Sequence, residues 1–73
     1  MKIEIHYCGQ WNYKPDAASL ADELKKSLSV DADLVAGKGG IFDVLVDGDL
    51  VYSKAKTGRF PKPGEVTEKI QKA

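Results

Sequence analysis

Cys8, the only cysteine among 73 residues, is the side chain of this sequence best suited to covalent chemistry. It follows an alternating apolar and polar segment, residues 2–7, and precedes a short loop that leads into a helix-forming segment. Helix N-termini and cationic neighbours lower the pKa of a cysteine from about 8.5 and favour the nucleophilic thiolate. We therefore predict that Cys8 is the catalytic residue, a partly exposed thiol with a lowered pKa.

Position 11, three residues after this cysteine, would hold the second thiol or selenol of a dithiol site, but it holds Trp11. Cys8 therefore cannot form an intramolecular disulfide, and a dithiol oxidoreductase cycle is excluded. A monothiol route remains, in which Cys8 attacks a disulfide or peroxide and external glutathione resolves the product.

The composition excludes several classes of function. Basic and acidic residues balance at 11 each, which argues against a nucleic-acid partner. The N-terminus does not resemble a signal peptide, and no apolar run approaches ~18 residues, so we expect no membrane partner. A single unpaired cysteine indicates a cytoplasmic location. One histidine and one cysteine are too few for a structural zinc site, so we expect no metal and no bound cofactor.

The hydrophobic pattern predicts one domain spanning residues 1–73. Strict alternation makes residues 2–7 a strand with Ile3, Ile5 and Tyr7 facing inward, and it leaves His6 facing solvent rather than serving Cys8 as a base. Pro15 suits the first position of an amphipathic helix of about 14 residues. The other predicted elements are strands at 33–36, 41–46 and 50–53, a hairpin turn at 47–48, a loop at 54–64 and a helix at 65–72.

The resulting β-α-β-β-β-α order predicts an α/β fold with a four-stranded mixed sheet in the order 2-1-3-4 and two helices on one face. This arrangement is thioredoxin-like. It brings Cys8 to the same rim as Lys38, Gly39 and Gly40. The other basic residues expected at that rim, which would favour the thiolate, are Lys14, Lys54, Lys56, Arg59 and Lys62.

The opposite face of the predicted sheet would show four apolar residues, Val35, Ile41, Leu45 and Val51. Such a patch, if contiguous, indicates a partner or dimer surface. We expect a monomer or a weak dimer.

Three segments together resemble the selenoprotein W family, also called the Rdx or SelT/SelW/SelH group: residues 7–9, 39–44 and 57–61. The resemblance covers nearly the whole chain and implies a thioredoxin-like fold and thiol redox chemistry, often with glutathione as co-substrate. Cys8 matches the first cysteine of the family, whereas Trp11 departs from the second cysteine or selenocysteine. Selenocysteine is encoded by UGA, one base from the tryptophan codon UGG, so the resemblance makes Trp11 either a genuine tryptophan or the reading of a selenocysteine position. In thioredoxins a cis-proline precedes the third strand and faces the thiol, and Gly40 takes its place here.

Two functions are consistent with these residues. The first is a small thiol-redox protein in which Cys8 acts with glutathione or a protein thiol partner. The alternative is a non-catalytic interaction module that uses two loops, residues 8–11 and residues 57–61, and a pure scaffold with no chemistry is the third option. The possible contact residues are Gly9, Gln10, Trp11, Arg59 and Phe60. Arg59 suits a carboxylate of a partner or of glutathione, but a structural role is the favoured one for the 57–61 loop, and whether the chain is an enzyme stays open.

Overall fold

The alternating N-terminal segment forms an interior strand of a mixed sheet in a computed structural model that describes residues 1–72. The elements are β1 (Ile3–Cys8), α1 (Lys14–Leu28), β2 (Ala32–Gly37), β3 (Phe42–Val46), β4 (Asp49–Ser53), α2 (Lys54–Thr57) and α3 (Glu65–Lys72). The strand order is β2-β1-β3-β4, with β1 parallel to β2 and antiparallel to β3, and β3 antiparallel to β4. The predicted fold class and strand order are confirmed.

Both longer helices cover the same face of this sheet. Helix α1 contacts β1, β2 and α3, while α3 contacts β4. The core between the layers is formed by Ile3, Ile5, Tyr7, Ala17, Leu20, Leu24, Phe42, Val44, Tyr52, Val66 and Ile70. Burying an aliphatic or phenylalanine side chain contributes roughly 1.5–3 kcal/mol, so this layer stabilises the rim that carries Cys8. None of the helices within residues 1–72 combines the length and hydrophobicity that crossing a membrane requires.

Helix α1 begins and ends as its sequence dictates. Pro15 lies in the first turn, where its missing N–H costs no hydrogen bond. The helix ends at Ser29, which adopts a left-handed conformation with φ 57° and donates its backbone N–H to the Lys25 carbonyl. Lys25 and Lys26 in the last turn stabilise the negative end of the helix dipole.

The hairpin between β3 and β4 turns at Asp47 and Gly48, as predicted. Their φ angles are 51° and 85°, and two consecutive positive values are what a type I′ turn requires. The turn is attached to β1, because the backbone N–H of Lys2 donates to Asp47 Oδ1 at 2.8 Å and the Asp47 N–H donates to the Lys2 carbonyl at 2.8 Å.

A β-bulge in β4 changes which residues lie on the outer face of the sheet. Val44 pairs with Tyr52 while Leu45 pairs with Leu50, so Val51 is an extra residue that breaks the alternation of β4. Val51 consequently packs against the helix-side core, and Leu50, which is 43% exposed, is the β4 residue paired with Leu45. The prediction that Val51 faces outward is wrong.

The predicted loop at 54–64 contains a short helix, α2, which the sequence pattern did not indicate. Gly58 ends this helix with φ 79° and donates its backbone N–H to the Lys54 carbonyl at 2.7 Å. Residues 65–72 form the predicted terminal helix, here α3.

Candidate functional site

Cys8 ends β1 beside the last residue of β2. Its Cα pairs with that of Gly37, and the backbone N–H of Gly9 donates to the Gly37 carbonyl at 3.0 Å. The side chain is completely buried, with 0% of its surface exposed, yet it does not belong to the helix-side core. The prediction of a partly exposed thiol is therefore wrong.

The environment of this thiol nevertheless favours the thiolate. Burial raises the pKa of Cys8, but hydrogen bonds with the backbone of Gly40, Trp11 and Gln10 outweigh it and hold the pKa below its ordinary value. Backbone groups that lower the pKa of a thiol must be N–H donors, because only donors stabilise the charged sulfur. The predicted direction is thus correct. Within residues 1–72 the lowering comes from these amides rather than from the expected basic rim.

Two glycines allow side chains to close over the backbone around the thiol. A Cβ added to Gly40, whose φ is 74°, would lie 2.5 Å from the Cζ3 atom of Trp11. A Cβ added to Gly37 would lie 2.9 Å from Ile41 Cγ2. Both distances are far shorter than a carbon–carbon contact. The indole therefore lies directly on Gly40, at the position expected for the thioredoxin proline.

Trp11 also begins a row of aromatic rings that leads from the surface into the core. The indole is 56% exposed and contacts Tyr13 edge-on, with ring centroids 5.7 Å apart. Tyr13 contacts Phe60 at 4.8 Å, and Phe60 contacts Phe42 at 5.1 Å. Offset and edge-to-face pairs of this kind are the favoured aromatic geometries. The row joins the 8–11 loop to the 57–61 loop.

Tyr13 was not among the predicted site residues, although it connects the two loops. Lys54 lies over the same rings, its Nζ 5.7 Å from the Tyr13 centroid and 5.4 Å from the Phe60 centroid. The signal that could have found Tyr13 is its position immediately before α1, where an apolar residue packs back onto the fold. Lys54 is one of the basic residues predicted to lie near Cys8, and it contacts two rings of the aromatic row.

Arg59 is engaged within the chain. Its NH1 and NH2 groups donate to the two carboxylate oxygens of Glu65 at 2.7 and 2.9 Å. The hydrogen bond with Arg59, helped by the backbone N–H of Lys62, lowers the pKa of Glu65 to about 2. The guanidinium fork that we expected to bind a partner's carboxylate thus already binds one from α3.

The remainder of the 57–61 loop is held by a buried tyrosine. The Tyr52 hydroxyl donates to the Arg59 carbonyl at 2.7 Å and lies 2.9 Å from Thr57 Oγ1. Tyr52 is almost fully buried, and these hydrogen bonds join it to the partly exposed loop. These contacts give the 57–61 loop a structural role. Phe60 is the residue of this loop that belongs to the aromatic row.

His6 takes the place that strand alternation predicts. Its Nε2 lies 3.4 Å from Glu4 Oε1 on the polar face of β1, away from the inward-facing Tyr7. Across residues 1–72, no three His, Cys, Asp or Glu side chains come together as metal ligands would.

The sheet is thioredoxin-like, and its one cysteine is buried and bonded by three backbone amides. These features are those of the thiol-redox class of domains. A sequence model of the Rdx family matches residues 2–72, and the chain belongs to that family.

Two solved structures share this architecture. A crystal structure of a Bordetella parapertussis protein superimposes with a TM-score of 0.92 at 27% identity, covering 97% of this chain and 94% of that one. A selenoprotein W-related protein from Vibrio cholerae superimposes with a TM-score of 0.90 at 27% identity, covering 97% and 92%. These likenesses agree with the selenoprotein W resemblance of the sequence.

Two curated relatives carry the name migration and invasion enhancer 1. The bovine protein is 27% identical over 74 residues, and the mouse protein is 28% identical over 72 residues. The alignments cover 100% and 97% of this chain but only 64% and 63% of those proteins. The chain therefore spans a little under two thirds of their length.

Proposed function

We propose that this protein is a thiol-redox protein in which Cys8 is the reactive thiol and acts by a monothiol, glutathione-linked route. The observation that carries the proposal is the set of three backbone amides, from Gly40, Trp11 and Gln10, that lowers the pKa of a buried thiol. Fixed amide donors stabilise negative charge on sulfur without needing a charged partner.

The first step is attack of the Cys8 thiolate on the glutathione sulfur of a protein–glutathione mixed disulfide, which frees the protein thiol. A new sulfur–sulfur bond forms, the original one breaks, and the departing thiolate takes the electron pair. Cys8 is thereby oxidised to a mixed disulfide, and half of the substrate disulfide is reduced to a thiol.

The second step needs a thiol from outside, because Trp11 supplies none. A glutathione thiolate attacks the glutathione sulfur of the mixed disulfide, Cys8 leaves as the thiolate, and oxidised glutathione is released. A thiol of low pKa is a good leaving group, so the same three amides assist both steps. Glutathione is a co-substrate here, and the route requires no bound cofactor.

The route also indicates where the protein works. Reduced glutathione keeps cytosolic thiols reduced, and we propose a cytoplasmic location on that ground. The partner is glutathione or a protein thiol.

The decisive experiment measures the rate of Cys8 alkylation by iodoacetamide against pH, followed by intact-mass analysis after exposure to oxidised glutathione. The expected result is a titration midpoint below ~8.5 and one glutathione adduct, with neither seen in Cys8→Ser. An ordinary midpoint together with no adduct would reject the proposal.

A second candidate function is the non-catalytic interaction module, supported by the 56% exposure of Trp11 beside the exposed Gly9 and Gln10. Tryptophan is enriched at the centres of protein interfaces. This function predicts that Cys8→Ser retains partner binding while Trp11→Ala loses it. Phe60 supports such a surface indirectly, because its ring packs on Tyr13, which in turn packs on Trp11.

A further inference from the structure

The closed geometry around Cys8 conflicts with direct attack on a substrate. Thiol–disulfide exchange passes through an arrangement in which the attacking, central and leaving sulfur atoms are close to collinear. A thiol with 0% exposure cannot offer that line of approach to any disulfide. Part of the cover over Cys8 must therefore move before the proposed chemistry can begin.

The parts of this cover differ in how firmly they are held. Gly37 and its neighbours are fixed by pairing with β1. The main chain at position 11 is also fixed, because the Trp11 carbonyl accepts a hydrogen bond from the Tyr13 N–H at 2.8 Å and the Trp11 backbone bonds to Cys8. The indole itself is more than half exposed and rests on Gly40 and on the edge of Tyr13. Rotation of this one side chain would uncover Gly40, whose backbone bonds to Cys8, without breaking any strand pairing.

We infer that Trp11 is the specificity-determining residue of the Cys8 site, a movable cover that slows bulky disulfides far more than small oxidants. The inference rests on the proposed function of Cys8. A disulfide must place two sulfur atoms and their substituents over the thiol, so the indole has to leave Gly40 completely. Hydrogen peroxide needs only a narrow opening.

The small oxidant reacts by a balanced step of its own. The Cys8 thiolate attacks one oxygen of hydrogen peroxide, a sulfur–oxygen bond forms and the oxygen–oxygen bond breaks. The departing hydroxide takes a proton and becomes water, and Cys8 is left as a sulfenic acid. Peroxide is reduced and the sulfur is oxidised by two electrons.

Two neighbouring glycines allow a matched test of the cover. Gly39 and Gly40 have nearly equal φ angles, 72° and 74°, so an alanine at either position must adopt a similar left-handed φ. A methyl group at Gly40 meets the indole, whereas one at Gly39 meets nothing within 4 Å. Gly40→Ala therefore displaces the Trp11 side chain, and Gly39→Ala is its matched control.

The experiment compares the full chain with Trp11→Ala, Trp11→Phe, Gly40→Ala and Gly39→Ala. Rates of Cys8 modification are measured with a bulky aromatic disulfide, dithiobis(nitrobenzoic acid), and with hydrogen peroxide. Iodoacetamide titration gives the pH midpoint of each variant, and circular dichroism confirms its fold. Losing one aromatic contact corresponds to a rate change of up to about tenfold.

The expected result is an acceleration of about tenfold with the aromatic disulfide in Trp11→Ala and Gly40→Ala. The peroxide rate should change much less, Gly39→Ala should match the parent chain, and Trp11→Phe should lie between. Unchanged disulfide rates in Trp11→Ala, or equal acceleration with both reagents, would overturn the inference. An ordinary pH midpoint in every variant would instead reject the proposed function, so the two failures are distinguishable.

The single tryptophan of the chain supplies a second readout. Forming a mixed disulfide at Cys8 should shift the Trp11 fluorescence to longer wavelength, because the indole leaves Gly40 and Tyr13 for water. A mixed disulfide formed without any change in fluorescence would also overturn the inference.

Discussion

Arg59 and Glu65 form a two-point ion pair that joins the 57–61 loop to the first turn of α3. The two hydrogen bonds measure 2.7 and 2.9 Å, and Arg59 NH1 also donates to the Phe60 carbonyl at 3.1 Å. A planar guanidinium matches a carboxylate in this way, and a lysine cannot. The pair fixes the loop that contributes Phe60 to the aromatic row of the site.

The ion pair should make stability depend on pH in the acid range. The pKa of Glu65 is about 2 in the folded protein against an ordinary value of 4.5. A depressed carboxyl pKa contributes stability above the unfolded value, and this contribution is lost as pH falls from about 4.5 towards 2. Glu65→Gln should therefore lower the melting temperature at pH 7 and flatten its decline across that window.

The matched control for this substitution is Glu68→Gln, which removes the exposed partner of Lys72 in the same helix. An exposed helix pair contributes only about 0.3–0.5 kcal/mol, so this variant should keep the pH profile of the parent chain. Indistinguishable profiles for the two variants, recorded by thermal denaturation, would show that the Arg59 pair has no special role.

The buried hydroxyl of Tyr52 provides a test of the structural role assigned to the 57–61 loop. Tyr52→Phe removes the hydrogen bond to the Arg59 carbonyl and leaves that carbonyl with one partner fewer. We expect a loss of roughly 1–2 kcal/mol in the free energy of unfolding. The pH midpoint of Cys8 alkylation should stay the same. Urea denaturation measures the first quantity, and a shifted midpoint would instead tie the loop directly to the thiol.

Local patterns were sufficient to predict the strand order and the position of the cysteine. Alternation at Ile3, Ile5 and Tyr7 gave the inward face of β1, and Asp47-Gly48 gave the hairpin. Each of these signals depends on neighbours in the sequence alone. The same holds for Pro15 at the start of α1.

The burial of Cys8 could not be predicted in this way. The thiol is bonded by the backbone of Gly40, a residue far from it in the chain, and the indole of Trp11 lies on that same glycine. The amides that lower the pKa likewise come from two separate segments. Helix α2 was missed because it has only four residues and buries none of them, so it leaves no hydrophobic periodicity to detect.

The β-bulge in β4 yields a prediction that distinguishes the observed register from simple alternation. Val51→Asn places an amide against the helix-side core and should cost about 1–3 kcal/mol of folding free energy. Leu50→Asn, on a side chain that is 43% exposed, should change stability by less than about 0.5 kcal/mol. Chemical denaturation of both variants is the measurement. The reverse order would mean that β4 alternates without the bulge.

The amides around Cys8 can be tested by removing one of them. Gln10→Pro deletes a backbone N–H that stabilises the thiolate, whereas Gln10→Ala changes the same exposed side chain and keeps the N–H. Gln10→Pro should therefore raise the pKa of Cys8 and slow its alkylation at pH 7, because a smaller fraction of the thiol is ionised. Gln10→Ala should react like the parent chain. Iodoacetamide titration of both folded variants is the measurement, and equal midpoints would show that the thiolate owes its stability to groups other than this amide.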